Sequence, residues 1–95
     1  MQEHVELDPD VDEEAPTGGA ITAYDERHYV TYLRLLDAKA EDADWKEVAR
    51  IVLHRNPVAD ELRTYRCWLS HLERAQWLSR EGYRKILEQA VANKA

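Results

Sequence analysis

The chain has 95 residues, enough for one modest core and not for two. Its 13 Lys and Arg stand against 19 Asp and Glu for a formal net charge of −6, and a hydrophobic share of 44% suffices to fill that core. No apolar run approaches the roughly 20 residues of a membrane span, no leader-like start is visible, and the single cysteine, Cys67, forms no internal disulfide, which together imply a cytoplasmic protein.

Residues 1–24 carry Glu3, Glu6, Asp8, Asp10, Asp12, Glu13 and Glu14 and no Lys or Arg. Val5, Leu7 and Val11 stand isolated among the acids, Pro9 and Pro16 break any period, and Thr17-Gly18-Gly19 reads as a joint. Such a segment buries too little apolar area to offset its ordering entropy, so it is expected to be a disordered acidic tail. The remaining residues hold 12 acids and 13 bases, so the tail accounts for the whole negative charge and residues 25–92 form a nearly neutral helical domain.

A first helix is expected over Asp25 to Ala40, capped by Asp25, with Tyr29, Tyr32, Leu33 and Leu36 on its apolar face and Val30 and Leu35 widening it. A second opens at Asp44-Trp45-Lys46-Glu47, buries Trp45, Val48, Ala49 and Val52, and stops near Leu53 or His54 ahead of Pro57. A third, the longest, starts at an Asn56 or an Asp60 cap and ends near Leu78, with Leu62, Tyr65, Leu69 and Leu72 inward and Trp68 and Trp77 at the flanks. Ser79 caps a fourth, whose apolar positions are Tyr83, Ile86, Leu87, Ala90 and Val91. Nothing alternates with period two, so the fold class is all-α: about four helices resembling a helix-turn-helix with an extended turn, behind the acidic tail.

Three constellations bear on function. At 100° per residue, Arg63, Arg66, Ser70 and Arg74 fall on one outward stripe of the third helix, where the arginines could meet phosphates or guanine edges. Cys67 and His71 share a helix face, but zinc needs four ligands and no second Cys or paired His accompanies them, so no metal or other cofactor is expected. Neither a glycine-rich phosphate loop nor a Ser-His-Asp arrangement is present, so an enzyme is not expected. The aromatic-rich face made by Tyr29, Tyr32, Leu33 and Leu36, with Trp68 and Trp77, points instead to a protein-binding surface.

Tyr32-Leu33-Arg34-Leu35-Leu36-Asp37, Asp44-Trp45-Lys46-Glu47-Val48-Ala49-Arg50-Ile51-Val52, the run Trp68 to Leu78 and Gly82-Tyr83 resemble the domain of unknown function 2285 family, over about residues 25–88. That resemblance implies a helix-turn-helix variant carried on proteobacterial mobile elements. In one setting of the family the domain follows a second small domain and forms a DNA-binding activator of conjugative transfer. In the other it stands alone as an antiactivator, binding the activator's N-terminal domain in quorum-sensing-controlled transfer of an integrative and conjugative element. A short, acidic chain fits the second setting, as a monomer with weak or absent DNA binding. The alternatives are a DNA-binding transcriptional regulator using Arg63, Arg66 and Arg74, and an adaptor linked to toxins or secretion.

Overall fold

The computed structural model describes residues 8–82. Among them are four α-helices, α1 (Ala23–Arg27), α2 (Tyr29–Ala40), α3 (Trp45–Ile51) and α4 (Glu61–Trp77), a π-helical turn over Leu78–Gly82, and no strand. The all-α class expected from periodicity is what the chain adopts. The positions of a fourth predicted helix beyond Gly82, from Tyr83 to Val91, lie outside the described residues, as do residues 1–7.

The first predicted helix is split. Thr22, not Asp25, is its N-cap: the Thr22 hydroxyl accepts from the Asp25 N–H at 3.1 Å, and the Asp25 carboxylate accepts from the Thr22 N–H at 2.9 Å, a reciprocal capping box. His28, at φ −111° and ψ 19°, ends α1, and its carbonyl accepts from the Tyr32 N–H as α2 begins. A Schellman closure ends α2: Ala43 N–H donates to Ala38 O and Asp42 N–H to Lys39 O, both at 3.0 Å, with Asp42 at φ +59° in the place usually held by glycine.

As expected, Asp44 caps α3 through the Glu47 N–H. The chain leaves it at His54, also left-handed at φ +58°, a reversal more commonly made by glycine. Asp60 caps α4, accepting from the Arg63 N–H at 3.1 Å. Asn56 instead folds the preceding turn, its side chain accepting from the N–H groups of Val58 and Ala59.

α4 is the central element and packs against both α2 and α3. The core joins Tyr32 and Leu35 of α2, Val48 of α3, Leu53 and, from α4 and its end, Cys67, Leu72, Ala75 and Leu78. The face of α4 that turns inward is rotated from the expected one. Thr64, Cys67, His71, Leu72, Arg74 and Ala75 are buried, whereas Leu62 is 61% exposed. Hydrophobicity alone points the helix the wrong way, because polar side chains are admitted inside wherever their hydrogen bonds are met. Among the described residues, no buried side-chain nitrogen or oxygen lacks a partner.

Many of those partners come from the segment expected to be a disordered tail. Over residues 8–22 it is a strap laid on the helices, with Val11 and Ala15 each only 6% exposed and Pro9 buried. Val11 belongs to the core cluster. Backbone bonding closes the strap: Ala15 N–H donates to Ser70 Oγ at 3.0 Å, Asp12 N–H to Tyr24 Oη at 2.9 Å, and the Arg55 guanidinium to Val11 O. Composition marked the segment as too polar to be ordered, but over residues 8–22 its carbonyls answer the buried donors His28 and Arg74, which composition does not reveal.

Candidate functional site

Four of the six residues expected to bind a partner are brought together. Tyr29, Tyr32, Leu33 and Leu36 of α2 line one wall of an apolar groove of about 540 Å³, faced by Ala75, Leu78 and Ser79 from the end of α4 and its π-helical turn. Local sequence explains the division of α2. Thr31, Tyr32 and Leu35 turn inward, so Leu35, expected only to widen the face, sits in the core at 1% exposure. Leu33 is left 59% exposed, with Tyr29 and Leu36 half-buried beside it. The opposite wall was not legible from α2's own period, since Ala75, Leu78 and Ser79 are recruited across the tertiary fold.

Trp68 and Trp77 do not join this groove. Trp68 packs with Trp45 and Tyr65, at ring-centroid separations of 5.9 and 5.6 Å, which clamps α3 to α4. Trp77 carries the Arg74 guanidinium over its ring at 4.3 Å and borders a depression shared with strap residues Pro16 to Gly19.

The three arginines expected on one outer stripe also separate. Arg74 is inside: its Nε donates to Asp25 Oδ1 at 3.0 Å and its Nη2 to Asp25 Oδ2 at 2.7 Å, with Nη1 reaching Gly18 O and Nη2 Ala20 O. It therefore holds the strap from inside the fold and is not on the outer stripe where it was expected. Arg63 and Arg66 stay exposed but border a shallow depression with Glu13, Glu14 and Asp60. Arg63 Nε lies 3.8 Å from Glu13 and 3.5 Å from Asp60. The acidic strap thus lies along the cationic edge of α4.

A buried polar relay underlies the strap. His71 Nδ1 donates to Cys67 O at 2.7 Å, leaving Nε2 to accept the Tyr24 hydroxyl at 2.6 Å, and that hydroxyl in turn accepts from Asp12 N–H. Burial holds the His71 imidazole below its ordinary range, and so neutral, while burial pushes the Tyr24 hydroxyl up to about 12. His28, fully buried and stacked on Tyr24 at 3.9 Å, directs one ring nitrogen to Tyr24 O and the other to Asp10 O, both at 2.7 Å. Burial would push the Asp25 carboxyl up, but the Arg74 guanidinium, the Thr22 N–H and the Tyr32 hydroxyl outweigh it and hold the group below the ordinary carboxylate value.

Cys67 and His71 do face one another, with Sγ 3.8 Å from Nδ1, as their spacing predicts. Burial pushes the Cys67 thiol up, away from the nucleophilic thiolate. Among the described residues no group of three or more His, Cys, Asp or Glu is placed to hold a metal ion, and no helix is long and apolar enough to cross a membrane.

The class that these observations define, for the described residues, is a small all-α domain with an acidic strap and an apolar groove beside α2. Comparison of the chain with protein-family models and with curated proteins returns no match.

Proposed function

We propose that the chain is an antiactivator: it captures a transcriptional activator of conjugative transfer through the α2 groove and keeps that activator from its promoter. The observation that carries this reading is the groove itself, in which Leu33 and its neighbours offer apolar surface with aromatic side chains at the wall. A groove between two helices is suited to an apolar helix of a partner protein. The likeness of residues 25–88 to the domain of unknown function 2285 family supplies the class of partner, the activator's N-terminal domain. Charge supports the same reading. With Arg74 buried and Glu13 beside Arg63, the edge of α4 offers little uncompensated positive charge to a phosphate backbone.

The test pairs two measurements on the full chain and its Leu33→Glu variant. Purified activator should form a one-to-one complex with the wild type and not with the variant, and a reporter driven by that activator should be silenced only by the wild type. Duplex DNA in a shift assay should remain free. DNA retention that survives Leu33→Glu but disappears in an Arg63→Ala, Arg66→Ala double variant would instead establish the DNA-binding regulator.

A further inference from the structure

We infer that His28 is a buried imidazolium whose two N–H groups latch the acidic strap, so that loss of one proton frees residues 8–12 and uncovers the face of α4 around Cys67. The latch is independent of the function proposed above.

The acceptors around the ring decide its charge. Nδ1 meets Tyr24 O of α1 and Nε2 meets Asp10 O of the strap, both at 2.7 Å. A backbone carbonyl oxygen only accepts, and a neutral imidazole has one N–H to give. Either neutral tautomer would therefore press a bare lone pair against one of the two oxygens. The doubly protonated ring satisfies both, and at 0% exposure no water stands in for a missing donor. His71 makes the contrasting arrangement, with one carbonyl and one hydroxyl as its partners, which a neutral ring satisfies.

The surroundings suit a cation. Tyr24 of α1 lies flat on the ring, with planes 18° apart, and offers its π face. From the strap, Asp10 supplies its carbonyl, and the Asp12 carboxylate acts on the neighbouring Tyr24 and His71. From α1, Asp25 is already occupied by Arg74, Thr22 and the Tyr32 hydroxyl of α2. From α4, the neutral His71 and the Cys67 thiol bring no positive charge. Arg55 is the opposing cation, and its guanidinium is engaged by Val11 O. Burial first, and then the charge of His28, hold the His71 imidazole low.

Tyr24 O also accepts from the His28 N–H at 3.1 Å within the helical backbone, so Asp10 O is the acceptor that gives way when a proton leaves. Two residues on, Asp12 O covers Cys67, its oxygen 3.5 Å from a sulfur that is 1% exposed. The sign is opposite to that of His71. The His28 contact is complete while the ring carries both protons and is lost as the pH rises to remove one. His71 must be neutral to accept the Tyr24 hydroxyl, and it lets go as the pH falls. The strap is seated between those two limits.

Nitrogen-15 NMR of the histidine side chains, on the full chain at about pH 7, reads the charge where an ordinary imidazole is mostly neutral. His28 should show two protonated nitrogens and His71 one; a bare nitrogen on His28 overturns the inference. Cys67 is the single cysteine, so its rate with a thiol reagent, divided by the rate of the urea-unfolded chain at the same pH, reports the strap. That ratio should rise about tenfold or more over the interval in which His28 loses its second proton, the effect of one buried acceptor left unmade. His54→Gln, which removes the exposed contact to Asp8, should keep the rise. His28→Gln should react fast at every pH while its helical circular dichroism is retained. A ratio that stays flat as the His28 proton leaves, or a rise abolished by His54→Gln, overturns the latch. If His28→Gln fails to fold, the wild-type and His54→Gln measurements still decide.

Discussion

Arg74 and Asp25 form a two-pronged ion pair across 49 residues of sequence, with side chains 4% and 0% exposed. Because the guanidinium also donates to the carbonyls of Gly18 and Ala20, one side chain ties α4, α1 and the strap together. Removing either partner leaves a buried charge without its counter-ion, at a cost of about 3–5 kcal/mol. Arg74→Met and Asp25→Asn are each expected to lower the unfolding free energy from urea titration by that amount. The double variant Asp25→Leu, Arg74→Met should lose less than the sum, which a double-mutant cycle measures.

Acid should weaken the fold in two stages. His71 is held below its ordinary value of 6.5, so the unfolded chain binds its proton more readily. Its contribution is complete above about pH 6.5 and declines as the pH falls toward the folded-state value. Asp25 is likewise held below its ordinary 3.8, so its contribution is complete above about pH 4 and is lost only in stronger acid. Urea midpoints of wild type and His71→Gln, measured between pH 8 and pH 3, should be furthest apart above about pH 6.5 and should converge progressively as the pH falls below it.

Asp42 adopts φ +59° at the end of α2, a conformation in which glycine avoids the side-chain penalty. Its role there is backbone closure, through N–H donation to Lys39 O. Asp42→Gly should raise stability by up to about 1 kcal/mol, with the larger unfolded-state entropy of glycine offsetting part of the gain. Thermal unfolding of the two proteins side by side checks the sign.

The strap should come away when its apolar anchor becomes charged. Val11 is 6% exposed within the core cluster, and Val11→Asp places a carboxylate where no donor awaits it. Limited proteolysis should then cut between residues 8 and 22, sites resistant in the wild type. With Glu13 drawn away from Arg63, the variant should also show weak, salt-sensitive retention on duplex DNA that the wild type lacks.

Periodicity, turn chemistry and composition carry the helical class, the Asp44 cap and the end of α3, the length of α4 and the apolar character of Tyr29, Tyr32, Leu33 and Leu36, because each depends on residues within one or two turns of one another. The same local signals misread which side of α4 faces inward. Leu62 and Tyr65 are more apolar than Thr64, His71 and Arg74, but they are the exposed ones. What reverses the choice is non-local: Asp25, the Tyr24 hydroxyl and the strap carbonyls arrive from elsewhere in the chain and satisfy those polar groups inside. The groove is decided in the same way, since α2 supplies one wall by its own period and the other exists only once the end of α4 is laid beside it. A sequence states what each segment has to offer; burial of a polar group, and closure of a groove, depend on partners that only the tertiary fold brings within hydrogen-bonding or van der Waals reach.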